Sequence, residues 1–150
     1  MSSYSTVVVG TDGSETSLHA VDRAAALAKD SGATLVIACA YFPASERETA
    51  HDRDVLGADA AYQVVGSAPA EDTLQSARDR ARAGGASTIH TRAVEGKPAD
   101  VLKKVVAGVH ADLLVVGNVG LNTLAGRILG SVPLDVARHA GVDVLVVHTS

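Results

Sequence analysis

The chain has 150 residues, 47% of them hydrophobic and 20% charged, a length and balance that suit one folded domain with a real core and exclude extensive disorder. Its net charge of −4 argues against a nucleic-acid partner, which calls for a basic face, and no run approaches the roughly 20 apolar residues that span a bilayer. Cys39 is the single cysteine, which excludes an intramolecular disulfide and a zinc site of several thiolates; the opening Met1-Ser2-Ser3-Tyr4 lacks a secretory pattern, so a cytoplasmic protein is expected.

Strand and helix signals alternate along the chain. Thr6–Gly10 (T-V-V-V-G) is a β-branched run closed by glycine, as in a strand buried on both faces. Over residues 14–31 the period becomes helical: Leu18, Val21, Ala25 and Ala28 share one stripe, while Glu15, Asp22 and Lys29 face away. Ser14 and Asp12 are both N-cap candidates, and Gly32 stands where a helix-ending glycine belongs. Thr34–Tyr41 (T-L-V-I-A-C-A-Y) reads as a second buried strand. A second helix is expected from Pro69 or Ala70 to Ala83, with Leu74, Ala77 and Ala81 inward and Gly84-Gly85 ending it. Residues 88–94 form a more polar, alternating strand suited to a sheet edge. Residues 98–109 give a third helix with Val101, Leu102, Val105 and Val109 inward, followed by a strand at 113–116. A last helix at about 132–140, with Pro133 in its first turn, leads to the strand V-D-V-L-V-V-H at 142–148.

Strands separated by helices of this length imply a parallel sheet covered on both faces, so the expected fold is a single doubly wound α/β domain over residues 1–150. The stretch from Phe42 to Ser67 breaks the alternation; it is long for a strand-to-helix connection, and residues 46–61 have room for a short helix.

In such a sheet, ligands bind beyond the carboxyl ends of the strands where the strand order reverses. Two strand ends carry the right chemistry: Gly10-Thr11-Asp12-Gly13-Ser14 and Gly117-Asn118-Val119-Gly120. The run 117–131, G-N-V-G-L-N-T-L-A-G-R-I-L-G-S, has the glycines that let main-chain N–H groups approach an anion, and Gly130-Ser131 opens a helix whose positive end adds to the attraction. A carboxylate repels phosphate, so Asp12 suits a hydroxyl pair such as ribose, or a magnesium ion. If the two strands are neighbours, a nucleotide fits the pair of loops.

The spacing G-x2-G-x9-G-[ST] of Gly117, Gly120, Gly130 and Ser131 resembles the nucleotide-binding signature of the universal stress protein family. The segments V-V-V-G-T-D-G-S-E, A-D-L-L-V-V-G-N-V-G and G-S-V-P…V-D-V-L-V-V-H extend that resemblance over essentially the whole chain. It implies a five-stranded sheet of order 3-2-1-4-5, a homodimer through residues 142–148, and adenine-nucleotide binding, commonly ATP, in a stress-response regulator. It further implies that Asp12 holds the ribose, that Gly10 and Thr11 line the base or ribose, and that Ala40 abuts the adenine. Gly117, Asn118, Gly120, Gly130 and Ser131 would hold phosphates, with Val116 and Val132 packed nearby.

One departure bears on the ligand. Family loops often carry a cation just after the first glycine, whereas here Asn118, Val119, Leu121, Asn122 and Thr123 follow, and the nearest cation is Arg127. Amides and one arginine suit AMP or cyclic AMP more easily than a triphosphate with about four negative charges, which would need Mg2+ or outward-pointing phosphates; both stay open, with ATP ahead on the family resemblance. Ser131 can equally be a helix cap, and Arg127 a solvated charge.

Neither a Walker pattern nor a loop lysine is present, so a nucleotide-binding regulator ranks ahead of a weak metal-dependent ATPase using Asp12, and ahead of an interaction module with an empty crevice. The six histidines (19, 51, 90, 110, 139, 148) show no metal-ligand spacing. Cys39 reads as a small hydrophobe, and Arg78-Asp79-Arg80-Ala81-Arg82 as a solvated helix face.

Overall fold

A computed structural model describes residues 4–43, 66–118 and 131–148. The short helix expected within 46–61 falls outside them, as do Gly120, Arg127 and Gly130. The described elements alternate as β1 (Thr6–Gly10), α1 (Glu15–Ser31), β2 (Thr34–Tyr41), α2 (Ser67–Ala83), β3 (Ile89–Glu95), α3 (Pro98–Gly108), β4 (Leu113–Gly117), α4 (Ser131–His139) and β5 (Asp143–Val147). The sheet is parallel, with strand order β3-β2-β1-β4-β5.

Alternate residues of the central strands feed two separate cores. Val7 and Val9 of β1, Leu35 and Ile37 of β2, and Leu113 and Val115 of β4 meet the buried alanines of α1 and α2. Val8, Val36, Leu114 and Val116 meet Val101, Leu102 and Val105 of α3 and Val136 of α4. This explains why the strands read as continuous apolar runs: both faces are covered. Each fully buried valine or leucine contributes about 1.5–3 kcal/mol.

Local chemistry fixes the helix ends. Ser14 caps α1, its side chain accepting from Ser17 N–H at 3.3 Å. Gly32 ends the helix in the left-handed region at φ 68, and Ala33 N–H returns to Ala28 O at 2.9 Å. The buried stripe of α1 is Ala20, Val21, Ala24, Ala25 and Ala28; Leu18 lies at its margin, partly buried. Helix α2 starts at Ser67, two residues before the earliest expected start. Proline is tolerated throughout a first turn, because none of those N–H groups has a partner within the helix, so Pro69 need not mark the first position. In α3, Val106 rather than Val109 completes the buried stripe; Val109 is the C-terminal cap. Helix α4 begins at Ser131, one residue earlier than expected, and β5 spans five residues, with Val142 and His148 just outside its pairing.

Polar contacts pin the frame. The carboxylate of Asp112 accepts from Ser5 N–H at 2.9 Å and Thr6 N–H at 3.0 Å, anchoring the start of β1 beside β4. Desolvation pushes that carboxyl upward, but the N–H donors prevail and hold it below its ordinary value. Arg80 corrects the reading of its helix face as merely solvated. Its Nε and Nη2 each donate to Asp22 at 2.7 Å and Nη1 donates to Glu15 at 3.3 Å, tying α2 to α1.

Candidate functional site at the switch point of the sheet

From β1 the chain moves outward to β2 and β3, then returns to the other side of β1 to lay down β4 and β5. The order therefore reverses between β1 and β4. Their register pairs Val7 with Leu113, Val8 with Leu114 and Val9 with Val115. Asp12 and Asn118 each lie three residues beyond that last pair, so the two chemistry-bearing loops leave the sheet side by side.

The β1 loop is held by its own hydroxyls. Thr11 N–H donates to Ala38 O at 3.0 Å, which fastens the loop to β2. Gly13 takes φ +86, a turn conformation that excludes most side chains, and its N–H donates to Thr11 Oγ1 at 3.1 Å. Asp12 does not cap α1: its Oδ1 accepts from Ser14 N–H at 2.8 Å, leaving the cap to Ser14. Thr11 is 7% exposed, the one polar residue among the described positions that counts as buried.

Gly10, at the end of β1, faces α3; a Cβ there would stand 2.9 Å from Leu102 Cδ2. Ala40 is half-buried on this same side of the sheet, opposite Val94 of β3. Val116 is 4% exposed and belongs to the α3–α4 core. On the opposite face Cys39 is buried, and desolvation, then the charges of Asp12 and Glu71, push its thiol up to about 12. The thiol is therefore protonated at neutral pH, and no nucleophile is available from it.

At β4 the amides are not all turned inward. Asn118 N–H donates to Val147 O at 2.7 Å, carrying the β4–β5 ladder one residue past the strand. The Asn118 side-chain nitrogen lies 3.3 Å from His148 Nδ1, so a histidine from the end of β5 reaches this edge of the site. Among the described residues no group of three His, Cys, Asp or Glu could hold a metal ion.

Residues 3–148 match the family model described as the universal stress protein family. The chain belongs to the universal stress protein family. A universal stress protein of Mycobacterium tuberculosis is 52% identical over 150 residues, covering both chains entirely. A universal stress protein solved in complex with cAMP superimposes with a TM-score of 0.76 at 50% identity, covering 99% of this chain and 100% of that one. Another from Archaeoglobus fulgidus, solved in complex with dAMP, shares the fold at 21% identity, with a TM-score of 0.68 over 95% of this chain and 97% of that one.

Within the family fold, Gly10, Thr11, Asp12, Ala40, Val116, Gly117 and Asn118 gather at the carboxyl ends of β1, β2 and β4. Ser131 and Val132 open α4. The sequence reading missed two neighbours of this group. Ser17 stands one helical turn after Ser14, and the S-x-x-S spacing was its available signal. His148 had none, because only the β4–β5 register brings it to Asn118. Among the described residues, no helix is long and apolar enough to cross a membrane.

Proposed function

We propose that the protein binds an adenine nucleotide in the crevice between the β1 and β4 loops and acts as a homodimeric, cytoplasmic stress-response regulator built from one domain. The observation that carries this reading is the 50% identical chain, matched over essentially its full length, whose structure holds cAMP. The local chemistry supports it. Asp12 has one carboxylate oxygen committed to Ser14 N–H, and the other is suited to accept a ribose hydroxyl in a charge-assisted bond. Gly10 and Thr11 would line the ribose or base, and Ala40 the adenine.

Phosphate would rest on the amides of Gly117, Gly120 and Gly130, on Ser131, and on the positive end of α4 that Val132 shares. Because Asn118 N–H is already bonded to Val147 O, Asn118 would contribute through its side chain. Arg127 would add the cation. So sparse a charge set favours a cyclic monophosphate, with about one negative charge, over ATP, which would bring about four and call for Mg2+.

The test is to denature the purified protein, identify any released nucleotide by mass, and titrate the empty protein with cAMP, AMP and ATP with and without Mg2+. Binding of cAMP, weakened about 10-fold or more in Asp12→Ala and Gly117→Ala, is expected. Absence of heat with every adenine nucleotide at millimolar concentration refutes the reading.

A further inference from the structure

Ser17 is not among the residues assigned to the ligand itself, yet its hydroxyl is the meeting point of the β1 loop. It donates to Ser14 O at 2.9 Å, it lies 2.8 Å from Thr11 Oγ1, and it accepts from Asp12 N–H at 3.4 Å. A hydroxyl carries one proton and two lone pairs, and the count here is complete. Since Ser17 gives its proton to Ser14, Thr11 must be the donor of the 2.8 Å bond. Thr11 Oγ1 then accepts from Gly13 N–H. Every direction in the circuit is thereby fixed, and it joins the residues on either side of Asp12 to Asp12's own main chain.

A serine that served only its helix would bond back to Ser14 O and stop there. Ser17 also takes two donors from residues upstream of the helix, and one of them, Thr11, is 7% exposed. Without the Ser17 oxygen the Thr11 proton loses its acceptor in a buried place, and Thr11 must turn to find another. That rotation releases Gly13 N–H and, through the Asp12–Gly13–Ser14 turn, the Asp12 carboxylate.

We propose that Ser17 is a positioning residue that holds Asp12 in the orientation from which it recognises the ribose 2′-hydroxyl of a bound nucleotide. This rests on the reading of Asp12 as the ribose partner. It predicts a selective effect, because only a ligand that carries the hydroxyl senses where the carboxylate points.

The test compares cAMP with 2′-deoxy-cAMP by isothermal titration. The native protein is expected to prefer cAMP about tenfold. In Ser17→Ala the preference should shrink to about twofold or less, with 2′-deoxy-cAMP affinity unchanged, and Ser17→Thr, which keeps the oxygen, should restore it. Ser17→Cys, whose sulfur is only a weak acceptor, should reproduce the loss, which covers the case in which Ser17→Ala does not fold. Equal weakening of both ligands, or a native preference in Ser17→Ala or Ser17→Cys, overturns the proposal. Asp12→Ala separates the two levels. If it abolishes the preference while Ser17→Ala keeps it, only the role of Ser17 falls; if it keeps the preference, the ribose role of Asp12 falls and takes the Ser17 role with it.

Discussion

Gly10 gives the sharpest test of how the β1 loop is packed. Its φ lies outside the left-handed region, so replacing it with alanine adds a methyl group without backbone strain. The new Cβ would stand 2.9 Å from Leu102 Cδ2 and 3.1 Å from Cδ1, where carbon atoms rest comfortably at about 3.5–4.0 Å. The leucine tip must retreat by roughly half an ångström or more. It is 5% exposed and enclosed by the α3-side core, so the retreat disturbs its neighbours. Gly10→Ala should therefore cost about 1–2 kcal/mol, the lower part of the overpacking range, because the obstacle is a side-chain end and not main chain. At this chain length that lowers Tm by about 2–8 °C.

Leu102→Ala alone should cost about 2–5 kcal/mol through the cavity it leaves. Combined with Gly10→Ala the clash vanishes and the added methyl fills part of the void. The double variant should then be more stable than the sum of the single effects by about 1 kcal/mol. Urea unfolding of the four proteins measures this coupling. Additivity within about 0.3 kcal/mol, or a neutral Gly10→Ala, refutes the contact argument.

Two further outcomes are expected. Asp112, whose carboxyl is held below its ordinary value by Ser5 and Thr6 N–H, contributes stability that is fully present above the unfolded carboxyl range and is lost as pH falls through the lower folded value. Asp112→Asn should lose about 1–2 kcal/mol at neutral pH and show a shallower loss of Tm below about pH 4; an unchanged acid limb contradicts the role. The native chain should sediment as a dimer at micromolar concentration and Val144→Lys as a monomer, whereas a monomeric native chain removes β5 as the pairing edge.

The alternation of strands and helices was legible because the two periods differ so clearly: T-V-V-V-G offers no helical stripe, and Val21, Ala25 and Ala28 offer no strand alternation. The two loops of the candidate site were legible too, since Asp12 and Gly117 both follow apolar runs, and the strand order that makes them neighbours came with the family resemblance. What escaped was whatever depends on partners far apart in the chain. Arg80 looks solvated until α2 packs on α1 and brings Asp22, 58 residues away, into reach. A glycine-rich pattern treats every amide of its loop as ligand-facing, but whether Asn118 N–H is spent on Val147 is decided by how far the β4–β5 ladder runs. Ser17 carries the same lesson at short range: one hydroxyl can satisfy its helix and organise a neighbouring loop, and only the directions of its bonds tell the two apart.

The two margins of the sheet are chemically unlike. Along β3, His90, Arg92 and Glu95 stand exposed, and charge of this kind keeps stray strands away. Along β5, half-buried Val144, Leu145 and Val146 form a greasy rim. In the proposed dimer, a molecule sticky on one flank and wetted on the other would join a copy of itself through the sticky flank once, two-fold related, with both β5 margins consumed. Growth of the sheet into fibres would thereby be arrested by the make-up of its two margins, without any capping partner.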